Sequence, residues 1–206
     1  MRVAAGTLKG RRLLVPRGAT TRPTADQVRI ALLDSLTPWL PGARVLDLFA
    51  GAGSVGLEAL SRGAGHATFV ERGARAVTAL RANVAALGLQ EYARVHRGEV
   101  GPALDRLAAA GERFTIVFLD PPYEADLVDR TLDRLATGGL VAAAGVVIAQ
   151  HFTKRVPSAV VGDLTAVRTR RFGETTLTFF RRGGYPSGAH RSPGQEPDPE
   201  SGPRLD

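Results

Sequence analysis

The segment Asp120-Pro121-Pro122-Tyr123 follows an apolar run at 114–119 and combines residue types that could hold an amino group. The two prolines remove two amide donors and stiffen the turn, which leaves the Asp120 carboxylate and the Pro121 carbonyl as acceptors. Two acceptors can hold the hydrogens of an NH2 group on a planar base, while Tyr123 stacks on the base. The segment therefore predicts methyl transfer to an exocyclic amine, with Asp120 stabilising the developing positive charge. The alternative interpretation is a Pro-Pro turn that only ends a strand.

A glycine-rich segment lies upstream, between a predicted strand and a predicted helix, and reads Asp47-Leu48-Phe49-Ala50-Gly51-Ala52-Gly53-Ser54-Val55-Gly56. Its glycines let the backbone turn tightly and approach a ligand, and the helix N-terminus favours an anionic group. The G-x-G-x-x-G spacing by itself is equally typical of dinucleotide sites. Asp47 favours a methionine-type cofactor, because a carboxylate that ends a buried strand needs partners and such a cofactor carries an ammonium. The alternative is a structural carboxylate that accepts amides of the loop.

Two further acids follow the next two predicted strands. Glu71 ends the second strand, where an acid can bond the ribose hydroxyls of a nicotinamide or an adenosyl cofactor. The alternative is a surface acid paired with Arg72 or Arg75. Glu99 follows the third strand, in a position from which it could face the adenine edge. Glu71 is therefore predicted to belong to the cofactor site, but its position does not distinguish a nicotinamide cofactor from an adenosyl cofactor.

Parallel strands joined by helices would bring these segments to one edge of a sheet. The pattern from residue 43 onward alternates between strand and helix, which predicts an α/β fold with helices on both faces of a mostly parallel sheet. The predicted strands are Ala43–Phe49, Ala67–Glu71, Arg94–Arg97, Phe114–Leu119 and Val146–His151, and the predicted helices are 54–62, 74–87, 100–110 and 125–136. Leu164–Phe172 and Thr175–Arg182 flank Gly173 and predict a reversed antiparallel hairpin. Such a hairpin argues against an ordinary dehydrogenase.

The two ends of the chain differ from this central region. Residues 1–23 are basic and contain several glycines and prolines, which predicts an irregular or short-hairpin arm ahead of a catalytic domain at 24–182. Thr24 is predicted to cap the first helix, with Gln27 as its capping-box partner. Residues 183–206 are rich in glycine and proline and poor in large apolar side chains, so we expect a disordered tail.

Charge and composition favour a polyanionic partner. The chain has 206 residues, a net charge of +7 and no cysteine, which suits one domain without disulfides or thiolate metal sites. Basic residues cluster in two places: Arg2, Lys9, Arg11 and Arg12 near the start, where we expect RNA contacts, and Arg168, Arg170 and Arg171 near the end. Solvated faces of an arginine-rich protein are the alternative. The sequence shows no signal peptide and no apolar run that spans a bilayer, so we expect a cytoplasmic protein. We also expect a monomer, and chemistry that needs no metal.

Four stretches together resemble the bacterial RsmD-type enzymes, which methylate the N2 amine of a guanine in small-subunit (16S) ribosomal RNA. The stretches are Arg2–Gly6 with Lys9–Leu13, Arg22–Thr24 with Val28 and Arg29, residues 47–64, and residues 120–123. The last two are typical of class I methyltransferases that act on an amine, and the first two narrow the resemblance to this family. The resemblance runs from Arg2 to about Arg182 and leaves only the tail outside.

The resemblance implies a seven-stranded, Rossmann-like class I methyltransferase sheet, S-adenosylmethionine as the cofactor, and ribosomal RNA within a small-subunit particle as the substrate. It implies catalysis at Asp120, Pro121 and Tyr123. The cofactor contacts predicted on this basis are Arg22, Thr24, Asp47, Phe49, Gly51, Gly53, Glu71, Arg72 and Glu99. The chain departs from the family near Gln150 and His151, where an acidic residue is common. We interpret His151 as a satisfied strand-end histidine, and a contact with the substrate is the alternative.

Other functions remain open from the residues alone. The Asp120–Tyr123 segment suits adenine N6 in DNA or RNA as well as guanine N2, although a DNA enzyme usually carries a recognition domain for which this chain has little room. An amine methyltransferase that acts on protein glutamine or a small molecule would leave the arginines without a role. A nicotinamide-dependent oxidoreductase is allowed by the glycine pattern, but it gives Asp120–Tyr123 no role.

Overall fold

A computed structural model of the chain describes residues 1–16, 23–122 and 126–183, with the backbone alone for 23–25. Within these ranges the helices are α1 (Pro23–Leu36), α2 (Ser54–Ser61), α3 (Ala74–Leu87), α4 (Val100–Ala109) and α5 (Leu127–Thr137), and a short 3-10 helix at Thr37–Trp39 follows α1. The strands are β1 (Arg44–Leu48), β2 (His66–Glu71), β3 (Ala93–Arg97), β4 (Phe114–Leu119), β5 (Val141–Phe152), β6 (Val160–Val161), β7 (Leu164–Phe172) and β8 (Thr175–Arg182).

The described strands form one sheet in the order β3-β2-β1-β4-β5-β8-β7-β6. Strands β1 to β5 run parallel to one another, whereas β8 runs antiparallel to both β5 and β7. This arrangement confirms the predicted α/β class and the reversed hairpin. The sheet has eight strands instead of the predicted seven, because β6 adds a two-residue edge strand. A segment that short carries no alternating pattern to detect.

Two predicted boundaries are wrong. The helix α1 begins at Pro23, so Thr24 lies inside its first turn and is not its N-cap. Proline is favoured at that first position because its missing amide costs no helical hydrogen bond. Strand β5 begins at Val141 and not at Val146, since an irregularity in its pairing with β4, between Phe114 and Ile116, lets the additional residues continue the strand.

The core consists of two layers, one on each face of the sheet. On one face, α1, α2 and α3 pack residues such as Leu32 and Leu80 against the strands. On the other face, α4 and α5 contribute Leu104 and Leu132. Because successive side chains of a strand point to opposite faces, each central strand supplies both layers, and the strand ends are held in a fixed register.

The N-terminal residues form a short hairpin that packs on α2. Arg2 and Arg12 pair in antiparallel fashion, and Val3 and Leu13 are buried in the layer of α1 to α3. Gly6 has a φ of +83° where the hairpin meets α2, and a Cβ there would overlap the carbonyl oxygen of Ser61. The hairpin is therefore part of the same hydrophobic core as the sheet.

A buried ion-pair network ties this hairpin to α1 and α2. Glu58 is fully buried; its Oε2 pairs with Arg29 and accepts a hydrogen bond from the Ala4 amide at 3.1 Å. Its Oε1 accepts from Arg62 Nη2 at 2.9 Å, and Arg62 also pairs with Asp34 of α1 at 2.6 Å. The sequence pattern did not predict this network, because its members lie on three separate elements.

No helix in the described ranges is long and apolar enough to cross a membrane. Arg22, Tyr123 and residues 184–206 of the predicted tail lie outside the described residues, as does the side chain of Thr24.

Candidate active site

The register of the parallel strands brings three carboxylates to one edge of the sheet. The last residues of β1, β2 and β4 are neighbours in the sheet, and Asp47, Glu71 and Asp120 lie at or directly after these ends. Burial raises the pKa of Asp47 to about 8; a hydrogen bond from Gly56 opposes the rise, and the charges of Asp120 and Glu71 add to it. The three acids therefore form one electrostatic cluster.

Asp47 is almost wholly buried, with 2% of its surface exposed. Its Oδ2 accepts a hydrogen bond from the Gly56 amide at 2.9 Å, and no basic side chain in the described part of the chain pairs with it. The bond to Gly56 is the structural role that the sequence left open as an alternative. It anchors the start of α2 to β1, and because no basic side chain in the described residues offsets the cost of burying a charge, the pKa of Asp47 stays high.

Glu71 joins two loops. Its Oε2 accepts a hydrogen bond from the Gly51 amide at 2.9 Å, and its Oε1 accepts one from the Gly73 amide at 2.6 Å. One carboxylate thus holds the glycine-rich loop after β1 beside the turn that starts α3. The sequence placed Glu71 at the correct strand end but did not predict these amide bonds.

The glycines of the loop have different roles. A Cβ at Gly53 would overlap the Leu80 side chain, and a Cβ at Gly56 would overlap Phe69, so both glycines permit close packing against the core. Gly51 has a φ of +55° and open space where a Cβ would stand. Phe49 has a φ of 60°, an unusual conformation for an aromatic residue that often marks a functional loop. Gly51 is therefore the position where the loop can be approached most closely.

Two cavities flank the segment Asp120-Pro121-Pro122, which lines both of them. The first cavity, of about 380 Å³, is also lined by predicted cofactor residues, namely Phe49, Glu71, Arg72 and Glu99, together with Val70, Gly98 and Val100. The second, of about 310 Å³, is lined on its other sides by Asp126, Val128, Asp129, Gln150, His151, Phe152, Arg155, Val156, Pro157 and Thr175. Asp47, Gly51 and Gly53 are not among the described lining residues of the first cavity.

Asp120 lies where the two cavities meet. Burial by the surrounding protein raises the pKa of the Asp120 carboxyl to about 6, while a hydrogen bond from the Gln150 side chain opposes the rise. The sheet register explains this contact, since Leu119 pairs with Ala149 and the next residue of each strand is Asp120 or Gln150. The strand pairing was the signal that could have identified Gln150 as a partner of Asp120.

Arg72 and Glu99 both line the first cavity and form an ion pair there. Both are exposed, and Arg72 Nη1 lies 3.5 Å from Glu99 Oε1. Such an exposed pair contributes little to stability. Glu99 is also the residue before α4, although its side chain makes no capping hydrogen bond there. Its side chain therefore remains available at the cavity.

His151 is buried, and both of its ring nitrogens have partners. Nδ1 donates to the Phe152 carbonyl oxygen at 2.8 Å, and Nε2 lies 2.8 Å from Thr178 Oγ1. This confirms the interpretation of His151 as a satisfied strand-end histidine, although the residue also lines the second cavity.

The four basic residues predicted to contact RNA lie on the N-terminal hairpin. Arg2, Lys9, Arg11 and Arg12 are all exposed, and none of them is among the described lining residues of the two cavities. Arg11 Nη2 donates to the Ala86 carbonyl at 2.6 Å, which holds the hairpin against α3. Across the described ranges, no cluster of histidine, aspartate and glutamate has the arrangement of a metal site.

The sheet order with its reversed hairpin, and the loop between β1 and α2, define a methyltransferase of the Rossmann-like class. The solved structure of yhhF from Escherichia coli, provisionally named a methyltransferase, superposes with a TM-score of 0.78 at 29% identity, covering 88% of this chain and 97% of that one.

The chain belongs to the family described as Conserved hypothetical protein 95, whose model matches residues 1–181. Among its relatives, YlbH of Bacillus subtilis (strain 168), provisionally named an rRNA methyltransferase, is 35% identical over 89% of this chain and 100% of its own length. Ribosomal RNA small subunit methyltransferase D of Escherichia coli (strain K12) is 33% identical over 88% of this chain and 90% of its own length.

Proposed function

We propose that this protein is an S-adenosylmethionine-dependent methyltransferase that modifies the N2 amine of a guanine in small-subunit (16S) ribosomal RNA. Family membership and the relative named ribosomal RNA small subunit methyltransferase D support ribosomal RNA as the substrate. The observation that carries the proposal is the wall of Asp120, Pro121 and Pro122 between two cavities. A cofactor in one cavity and a base in the other would meet at this wall.

The residues around the Glu71 cavity fit a cofactor of the methionine type. Gly51 leaves open space beside the loop, so a ligand can approach the backbone. Glu71 and Glu99 line the cavity with carboxylates that can accept hydrogen bonds from ribose and adenine. Asp47, which lacks a counter-ion, favours a ligand ammonium nearby. When bound, S-adenosylmethionine supplies a methyl group that its positively charged sulfur makes electrophilic.

The second cavity would hold the base. Its apolar side chains, Phe152, Val156 and Pro157, exclude water from the faces of a flat ring. The Asp120 carboxylate and the Pro121 carbonyl accept the amine hydrogens and orient the nitrogen lone pair toward the first cavity. As the bond from the methyl group to nitrogen forms and its bond to sulfur breaks, Asp120 stabilises the positive charge that develops on the nitrogen, which then loses one proton to solvent. Gln150 acts through Asp120 as a positioning residue, because its hydrogen bond favours the ionised carboxylate.

The target base must be unpaired or flipped out to enter this cavity. The exposed basic residues of the N-terminal hairpin would hold the phosphates of the surrounding RNA, whereas residues 24–182 would carry the chemistry. Guanine N2 is favoured over adenine N6 by the family alone, since the acceptors at Asp120 and Pro121 suit either amine.

Transfer of labelled methyl groups to RNA tests the proposal. Small-subunit particles isolated from cells without this modification are incubated with labelled S-adenosylmethionine and the protein, and the RNA and the ribosomal proteins are then separated. Label in the 16S RNA is the expected result. Label in protein alone would favour the protein amine alternative, and no label in either fraction would reject the proposal.

A further inference from the structure

Three arginines at the end of the sheet remain outside the function described so far. Arg168 and Arg170 lie on β7 and Arg181 lies on β8, and we call these three residues the arginine ladder. In the strand register, Arg168 is opposite Phe179 and Arg170 is opposite Leu177. Because Arg181 is two residues from Phe179 on β8, all three side chains occupy the same face, in steps of roughly 6.6 Å along the strands.

Each arginine of the ladder lies over an aromatic ring. The guanidinium carbon of Arg168 is 5.8 Å from the Phe179 ring centre, that of Arg170 is 5.6 Å from Phe172, and that of Arg181 is 5.4 Å from Trp39. Stacking uses the flat face of a guanidinium and leaves the N–H groups along its edge free to donate. The rings therefore hold the cations in place without consuming their hydrogen-bond donors.

The donors of the ladder are largely unused. Arg170 donates one hydrogen bond, to the Ala31 carbonyl of α1 at 3.1 Å. Arg168 and Arg181 donate to no acceptor, and no carboxylate pairs with any of the three, within residues 1–16, 23–122 and 126–183. By contrast, Arg29, Arg44, Arg62 and Arg134 all have carboxylate partners. The ladder is thus a stripe of positive charge without carboxylate partners in the described ranges, exposed at Arg168 and half-buried at Arg170 and Arg181.

The ladder begins beside the candidate active site. Arg170 lies over the ring of Phe172. Phe172 pairs with Thr175 of β8, and Thr175 lines the second cavity. From there the stripe runs along β7 and β8 to Arg181, which lies over Trp39, a residue that is 46% exposed. An exposed indole next to a row of cations is typical of surfaces that bind single-stranded nucleic acid.

We infer that the arginine ladder binds the sugar-phosphate backbone of RNA that extends from the base in the second cavity. This inference rests on the proposed function, and it assigns the RNA a second contact surface beside the N-terminal hairpin. The helix α1 separates the two surfaces, because its Arg29 contacts the hairpin residue Arg2 while its Ala31 contacts Arg170. Planar guanidinium forks match phosphate oxygens, and a held side chain loses little entropy when it binds.

Protection of the sheet edge is the competing explanation. Among the described strands, only the two-residue β6 borders the outer side of β7, at Leu164 and Thr165, and charged side chains on an edge strand prevent it from pairing with another molecule. That role would not require aromatic rings beneath the charges, and it would not extend to Arg181 on the inner strand β8.

RNA binding by charge variants tests the inference. The full-length protein and the triple variant R168Q/R170Q/R181Q are titrated against a fluorescent oligouridylate of about 30 nucleotides, which offers a backbone without stable pairing. The control R81Q/R106Q/R113Q removes the same charge from exposed arginines elsewhere. The ladder variant should bind about 10- to 100-fold more weakly than this control, and the slope of log affinity against log salt should fall by about 2, or roughly 0.7 for each lost phosphate contact.

Additional measurements separate the possible outcomes. R168K/R170K/R181K keeps the charges and should retain most of the salt slope, while thermal unfolding shows which variants are folded. Equal affinities and slopes for the ladder variant and the control would overturn the inference, as would self-association of the ladder variant without weaker RNA binding. Competition by polyglutamate as strong as that by RNA would also overturn it, in favour of an acidic protein partner. If the unmodified protein transfers no methyl group to ribosomal RNA, the proposed function fails. The binding comparison would still show whether the arginine ladder binds RNA.

Discussion

Asp120 follows the last residue of β4, and Gln150 lies beside it near the end of the parallel strand β5. A hydrogen bond from the Gln150 side chain lowers the pKa of the Asp120 carboxyl and so favours its ionised form, against the rise caused by burial. Because an ionised Asp120 is needed to stabilise positive charge on the amine, the pH dependence of turnover reports on this pair.

Replacement of Gln150 should change the pH profile of methyl transfer. Burial raises the pKa of Asp120 to about 6, so turnover should fall as the pH drops through that value and Asp120 gains a proton. In Gln150→Leu the opposing hydrogen bond is lost, and the acidic limb should move up by roughly one pH unit, the equivalent of one hydrogen bond to a charged group. Thr175→Val, in the same cavity, should leave the limb unchanged. An unshifted limb in Gln150→Leu would show that Gln150 does not act through Asp120.

Asp120→Asn should separate catalysis from cofactor binding. The amide keeps the shape of the side chain but removes its charge, so the rate of methyl transfer should fall by about 100-fold or more. Calorimetric titration with adenosylhomocysteine should give a dissociation constant within about threefold of that of the unmodified protein, because the Asp120 carboxylate acts on the amine and not on the cofactor. A large loss of affinity, with little loss of maximal rate, would make Asp120 a cofactor-binding residue.

Asp47→Asn should stabilise the free protein above pH 4. Burial raises the pKa of Asp47 to about 8, so the folded protein holds a proton that the unfolded chain has released. The free energy of unfolding therefore falls by up to about 1.4 kcal/mol per pH unit between the unfolded and folded pKa values. Asparagine removes this dependence, and each kcal/mol recovered at pH 8 should raise Tm by roughly 2–4 °C.

The same Asp47 variant also tests the cofactor site. If the carboxylate faces a ligand ammonium, Asp47→Asn should weaken binding of adenosylhomocysteine even though the free protein is more stable. An unchanged affinity for adenosylhomocysteine in calorimetry would show that Asp47 has only a structural role, as the acceptor of the Gly56 amide.

Glu58→Gln should loosen the N-terminal hairpin. Loss of this buried charge leaves Arg29 and Arg62 without their shared partner, which costs about 3–5 kcal/mol of unfolding free energy in comparable buried pairs. Asp34→Asn is the matched control, since its exposed pair with Arg62 should contribute less than about 1 kcal/mol. Urea unfolding measures both changes. Equal losses of unfolding free energy in the two variants would show that the buried Glu58 network does not hold the hairpin in place.

Arg11 and Arg12 should contribute to RNA affinity from the hairpin. The variant R11Q/R12Q should bind 16S RNA more weakly, and its salt slope should decrease by roughly one for each lost phosphate contact. Arg11 also holds the hairpin against α3 through the Ala86 carbonyl, so R12Q alone serves as the comparison that leaves this contact in place. Full retention of the slope in both variants would exclude the hairpin from the RNA interface.

The sequence predicted the parts of the fold that depend on local pattern. The apolar run at 114–119, and the glycine loop after β1, were placed within a residue or two because strand alternation and glycine spacing are local signals. The start of α1 and the length of β5 were wrong, since a proline start and a strand irregularity override those signals.

The contacts within the candidate site depended on three-dimensional pairing that no local pattern reports. Glu71 was expected at the cofactor, yet its bonds to Gly51 and Gly73 required knowledge of two loops. Gln150 became a partner of Asp120 only through the register of β4 and β5. The aromatic rings beneath the arginine ladder were likewise hidden, because Trp39 and Arg181 are far apart in the chain.

The most direct test of the account is mass spectrometry of the nucleosides from 16S RNA, after unmodified small-subunit particles have been incubated with the protein and S-adenosylmethionine. N2-methylguanosine should appear with the unmodified protein and be lost with Asp120→Asn. Formation of N6-methyladenosine instead, or of no methylated nucleoside at all, would contradict it.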